Sequence, residues 1–319
     1  SIEIRMSYIP EELIQGVLAG NRRALAKSIT LVESSLSEDA KTADEILYGI
    51  TGKSTSSIRI GISGVPGAGK STFIEAFGMY VISQGKKVAV LAVDPTSPIT
   101  GGSILGDKTR MPELTQSMNA FIRPSPTSGN LGGVTRKTKD TILLCEAAGY
   151  DVIIVETVGV GQSEVAVADM TDIFLLLLLA GAGDELQGIK KGIMEMADII
   201  LINKADGANK INAENARHEF ENALRLFKPK YKYWNSPVIT ISSLLKIGIT
   251  NVWEKIQDFI SASGEQITIN RKTQYDKWLW SHLQNQIYYD IQNLKENNPL
   301  ILKLQEDVKE NKISIRTAV

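Results

Sequence analysis

Between residues 58 and 242 short apolar runs alternate with longer segments whose apolar positions recur at helical spacing. The runs are Ile58–Ser63, Lys87–Asp94, Val152–Glu156, Ile173–Leu179, Ile199–Asn203 and Val238–Ser242, and helical segments such as Thr72–Ser83, Arg136–Ala148 and Asn212–Phe227 lie between most of them. Such alternation predicts an α/β fold built on a doubly wound, mostly parallel sheet. The most hydrophobic stretch, "IFLLLLLAGA" from Ile173 to Ala182, is about half as long as a bilayer-spanning helix. It reads as a central strand, apolar on both faces because helices cover both sides of a parallel sheet.

The pattern changes on either side of this core. In "PEELIQGVLAGNRRALAKSITLVES" the positions of Leu13, Val17, Leu25, Ile29 and Val32 suit two amphipathic helices broken near Gly20. Residues 1–55 therefore read as a helical N-terminal extension of a central domain over 56–264. Residues 265–319 read as a C-terminal helical arm, in which Leu279, Leu283, Ile287, Ile291 and Leu294 form one stripe beside Trp278, Trp280, Tyr288 and Tyr289. That stripe suits either a helix packed on the chain's own core or a dimerisation arm.

Composition narrows the partners. The chain has 319 residues, 43% of them hydrophobic, enough to bury a full core. Lys and Arg number 35 against 36 Asp and Glu, a net charge of -1, which gives no bulk attraction for nucleic acid or an acidic membrane surface. A polyanion must be bound locally. The single cysteine, Cys145, excludes an internal disulfide framework and suits a reducing compartment. The expected location is cytoplasmic, or the mitochondrial matrix if a leader has been removed.

"GVPGAGKST" follows the strand "IRIGIS" and precedes a helical run, the context of a P-loop. Gly64, Val65, Pro66, Gly67, Ala68, Gly69, Lys70, Ser71 and Thr72 would form the nucleotide-binding loop, its glycines letting backbone N–H groups curl around phosphate oxygens. Lys70 would reach the β- and γ-phosphates, and the Ser71 hydroxyl suits Mg²⁺. "NKAD", Asn203 to Asp206, follows a strand and matches N-K-x-D. A carboxylate at Asp206 can accept from guanine N1–H and the 2-amino group, a donor pair adenine lacks. Lys204 belongs to the same motif, and Ser242, Ser243 and Leu244 end the strand "PVITIS" where a base-contacting loop is expected. The expected ligands are GTP and GDP with Mg²⁺.

The run "IIVETVGVGQSE" occupies the place of D-x-x-G, whose acid holds Mg²⁺ through water and whose glycine N–H meets the γ-phosphate. Its counterparts are Glu156 and Gly159. Asp94 and Asp107, which bracket a glycine- and Ser/Thr-rich loop, are further candidates for the cation or for placing water. "GAGDELQGIKKG", with Lys190, is a candidate third mobile loop at the same sheet edge.

These stretches, with "VDPTSPITGGSILGDKTRM", "FIRPSPTSGNLGGVTRKTKD" and "GDELQGIKKGIMEMAD", together resemble the methylmalonyl-CoA mutase-associated GTPases, the MeaB/ArgK family. The resemblance covers roughly residues 10 to 260. It implies a homodimeric P-loop GTPase that chaperones an adenosylcobalamin-dependent acyl-CoA mutase, gating cofactor loading and protecting the mutase. It also implies an acidic Mg²⁺ and water shell of Asp94, Asp107 and Glu156, Gln162 in the second switch, and a partner-responsive loop around Lys190. A nickel metallochaperone GTPase would need soft or imidazole ligands, and Cys145, His218 and His282 are scattered. A nucleotide-dependent kinase of an amino-acid transport system is disfavoured by the guanine-type motif, and a protein-targeting GTPase by the lack of a methionine-rich domain.

Overall fold

The computed structural model describes residues 9–52, 56–94, 111–126, 131–158, 163–180 and 191–318. Seven strands, β1 (Ile58–Gly64), β2 (Val88–Val93), β3 (Ala120–Arg123), β4 (Val152–Thr157), β5 (Ile173–Leu179), β6 (Ile199–Asn203) and β7 (Val238–Thr240), form one sheet in the order β3-β2-β4-β1-β5-β6-β7. Every pairing is parallel, so the fold is the doubly wound α/β fold of P-loop nucleotide-binding proteins, with helical segments before and after the sheet. The six expected strands are present within a residue or two of their predicted ends. The exception in number is β3, a short edge strand that ends at Arg123, before Pro124.

β1 joins the two halves of the sheet, pairing with β4 on one side and β5 on the other. The face that carries Ile58, Ile60 and Ile62 of β1 and Val152 and Ile154 of β4 packs against Phe73, Ile74 and Phe77 of the helix Lys70–Ser83. Side chains alternate along a strand, so Glu156 shares that face.

At the amino ends of the strands one arrangement occurs three times. Asp151, Asp172 and Asp198 each stand immediately before β4, β5 and β6. Asp172 donates its N–H to the Arg59 carbonyl at 2.8 Å and accepts the Arg59 N–H on its carboxylate at 2.7 Å. Asp198 does the same with Phe174, at 2.8 and 2.8 Å, and Asp151 with Lys87, at 2.9 and 2.8 Å. Each aspartate thereby latches the entry of the neighbouring strand.

Before the sheet lie three helices, Pro10–Leu18, Arg22–Glu33 and Ser37–Ile50. The expected break at Gly20 is present, with φ of 72°, and Asn21 caps the second helix by accepting the Ala24 N–H at 2.9 Å. The third helix, which buries Ala43, Ile46 and Ile50, was not foreseen as a separate element. Arg22 donates to the Ala120 carbonyl at 2.7 Å and Arg123 pairs with Glu33, tying these helices to the β3 edge. Under them, in the helix Leu131–Ala147, burial pushes the Asp140 carboxyl up to about 6; Arg136 and Lys139 pull it back and Asp44 raises it further. Inside the sheet layer Arg59, fully buried, forms a bidentate pair with Glu146 at 2.7 and 2.9 Å, and Ser57 donates to the same carboxylate.

The chain divides into two units, one up to Ile267 and one from Thr268. The second contains most of a long helix, Gln266–Asn297, and the helices Pro299–Lys309 and Ile315–Ala318. Leu279, Leu283, Ile287, Ile291 and Leu294 are all exposed, by 42% to 58%. Among the described residues no helix is long and apolar enough to cross a membrane.

Candidate functional site

β1 ends in the P-loop, and the loop's shape follows from its glycines. A Cβ on Gly64 would stand 2.5 Å from the Leu177 carbonyl of β5. At Gly69 the requirement is double: φ is +84°, and a Cβ would meet Asn203 Nδ2 at 2.8 Å, so a side chain there is excluded by conformation and by space. The turn is closed by the Ala68 N–H on the Val65 carbonyl at 3.1 Å, and Val65 N–H donates to Leu177 at 3.3 Å. Ala68 is buried while Pro66 and Gly67 face outward. The helix begins at Lys70, two residues earlier than the apolar spacing alone placed it. Its first-turn N–H groups, from Lys70, Ser71 and Thr72, lack intrahelical acceptors, which makes this helix end an anion site.

The Lys70 ammonium donates to the Gly64 carbonyl at 3.0 Å. Burial lowers its pKa, and the charges of Glu156 and Glu164 work in the opposite sense. Two carboxylates therefore stand close to the phosphate lysine. Glu156 was expected there from its strand-end position; Glu164, buried in the helix Ser163–Ala168, was not. Nothing in the spacing of "GQSE" distinguishes Glu164 from a solvated helix-start acid, and its role depends on the sheet beneath it.

Asp94 directly follows β2. Its N–H donates to Ser125 Oγ at 2.8 Å, so a residue two beyond β3 fixes the acid just past β2. Asp107, Gly159, Gln162 and Lys190 lie outside the described residues.

The base side of the site centres on Asn203. Its Nδ2 donates to the Ala68 carbonyl at 2.7 Å, and its Oδ1 accepts the Ser243 N–H at 3.0 Å and the Ser243 hydroxyl at 2.9 Å. One buried amide thus joins the P-loop to the loop after β7. Lys204 takes a left-handed φ of 59°, with its carbonyl accepting from Asn209. The Ser242 hydroxyl donates to Asp206, and Ser242 and Ile247 exchange backbone bonds that close the loop. Leu244 at its tip is exposed.

The donor set tests the expected cation. Ser71 brings a hydroxyl, and Asp94 and Glu156 bring carboxylates, all hard oxygen ligands. Among the described residues no cluster of three His, Cys, Asp or Glu forms a cage of its own. That fits Mg²⁺, which is usually held by one or two carboxylates together with substrate phosphates and water.

A parallel sheet ending in a P-loop, with a braced N-K-x-D aspartate beyond β6, defines a P-loop GTPase. Comparison with known proteins gives the particular family: the model of the "Methylmalonyl Co-A mutase-associated GTPase MeaB" family matches residues 25–296, and the chain belongs to that family. GTPase ArgK of Escherichia coli is 48% identical over 311 residues, 97% of this chain and 94% of the relative. The methylmalonic aciduria type A homolog, mitochondrial, of Mus musculus is 47% identical over 308 residues, 91% of this chain and 74% of the relative. A crystal structure described as LAO/AO transport system kinase is 40% identical, has a TM-score of 0.76, and is matched over 98% of this chain and 97% of that one.

Proposed function

We propose that this GTPase is a chaperone of an adenosylcobalamin-dependent acyl-CoA mutase, methylmalonyl-CoA mutase being the leading candidate. GTP binding and hydrolysis would gate cofactor loading and guard the mutase against inactivation. The observation that carries the reading is the family match across 25–296, whose description names mutase association. We further propose that the working form is a homodimer formed through the exposed stripe of residues 265–319, and that it acts in the cytoplasm, or in the mitochondrial matrix if a leader is removed.

The chain's residues divide the work of hydrolysis. Asp206, held by Ser242, accepts from guanine N1–H and the 2-amino group, and the Lys204 stem flanks the base. P-loop N–H groups and the Lys70 ammonium hold the phosphates and take up charge as the bond from the β,γ-bridging oxygen to the γ-phosphorus breaks. Ser71, Asp94 and Glu156, with Asp107, would hold Mg²⁺, which would supply charge neutralisation to the phosphates. Gly159 N–H would meet the γ-phosphate, Gln162 would orient the attacking water, and the Lys190 loop would answer the partner. The transport-kinase description attached to one relative would require a phospho-acceptor; the Asp206–Ser242 arrangement supports a guanine nucleotide as the ligand.

The test is hydrolysis by the purified chain with and without a cobalamin-dependent mutase. Slow turnover alone, accelerated roughly 10-fold or more by the mutase, is expected, since completing a phosphoryl-transfer site in trans is worth at least that much. Rapid turnover alone, unchanged by mutase, would sink the chaperone reading.

A further inference from the structure

Ser63 and Thr157 flank the phosphate side of the site, and the roles assigned above use neither. Ser63 is the last residue before Gly64 of the P-loop, and Thr157 follows Glu156. Both are buried, at 1% and 0% exposure, and the Thr157 hydroxyl donates to Ser63 Oγ at 2.9 Å. The β1–β4 register ends with Ile62 opposite Glu156, so this bond takes over one residue beyond the last paired position. The two side chains project to the face opposite Glu156.

The bond belongs to a line across the sheet. Val158 N–H donates to the Val93 carbonyl at 3.0 Å, immediately before Asp94, and Asp94 N–H donates to Ser125 at 2.8 Å. In the strand order β3-β2-β4-β1, these contacts tie four adjacent carboxyl ends side by side. An apolar pair of similar shape would stabilise a buried strand end about as well as two desolvated hydroxyls, whose net contribution to stability is small. What the hydroxyl pair adds is direction: it fixes the end of β4, which carries Glu156, against the end of β1, where the P-loop begins.

We propose that Ser63 and Thr157 are a positioning pair for GTP hydrolysis, a crossbar that sets the Glu156 carboxylate at its working distance from Lys70 and Ser71. The proposal rests on the assignment of Glu156 to the cation side of the site. Neither residue touches the nucleotide in this account; both act through Glu156 and the P-loop.

The experiment uses the full chain with Thr157→Val, Thr157→Ser, the double variant Ser63→Ala/Thr157→Val, and Glu156→Gln. Three quantities are read: the Mg²⁺ concentration that half-saturates retention of a fluorescent GTP analogue, kcat, and melting temperature. A small displacement of a catalytic group costs up to about 100-fold, so Thr157→Val should raise the Mg²⁺ half-saturation roughly 10-fold and lower kcat by about 10-fold or more. Thr157→Ser should restore both. The double variant, which leaves no hydroxyl unpaired, should recover melting temperature and keep the Mg²⁺ defect. If Thr157→Val lowers melting temperature alone, the crossbar is overturned, whatever Glu156→Gln does. If Thr157→Val shifts the Mg²⁺ requirement and Glu156→Gln does not, the pair still positions the P-loop and it is the Glu156 assignment that falls.

Discussion

A carboxylate discriminates guanine from other bases only when it is held in one orientation, and the Ser242 hydroxyl does this for Asp206 by occupying one of its oxygens. In Asp206→Asn the amide oxygen can keep the Ser242 bond, which turns the amide nitrogen toward the base as a donor. Affinity for GTP should then fall about 100-fold, the loss expected for hydrogen bonds to a charged acceptor, while xanthosine triphosphate, with a carbonyl at C2, becomes preferred. Competition between the two nucleotides measures it, and unchanged GTP affinity would contradict the base assignment. Lys70, Ser71, Asn203 and Asp206 are legible in the sequence because each belongs to a motif of fixed spacing. Ser63, Thr157, Ser125 and Glu164 are not, because each acts through a neighbour distant in the chain, and hydroxyls or acids at strand ends have no spacing of their own.

Elements were legible where their apolar pattern was distinct, whatever their length. β2, β4, β5 and β6 are largely apolar runs and β1 alternates through Ile58, Ile60 and Ile62, so all five read directly, whereas β3 is short and leads straight into proline. The latch aspartates leave a trace in "YDVII", "TDIF" and "ADII", an acid placed just before each apolar run, which becomes meaningful once parallel neighbours are known. Buried charge within elements sets the pH behaviour. The Asp140 carboxyl is raised from its ordinary 3.8 to about 6 in the folded protein, so over that interval the folded state holds the proton the unfolded chain has lost. Stability therefore falls as pH rises through this window, and the full penalty is present above it. Asp140→Asn should stabilise the protein by about 1–2 kcal/mol at neutral pH, discounted for partial exposure, and by almost nothing below about pH 4. Chemical denaturation at both pH values checks it; equal effects would exclude ionisation as the cause.

At the scale of the whole molecule, the first unit is complete in its own core, while the second displays Leu279, Leu283, Ile287, Ile291 and Leu294 to solvent. A contiguous exposed apolar stripe of this kind marks an interaction surface. A chain ending at Gly264 should sediment as a monomer and the full chain as a dimer; a dimer that survives truncation would move the interface elsewhere. The stripe was legible from helical spacing, but its exposure was not, since the same spacing serves a helix packed on its own core. The three aspartate latches carry a mechanical consequence for the molecule. Sliding one strand past its neighbour would break both bonds of a latch together, so the sheet resists shear at its entry edge. In the proposed GTPase cycle, loss of the γ-phosphate would therefore be answered outside the sheet, with the register of the strands kept fixed.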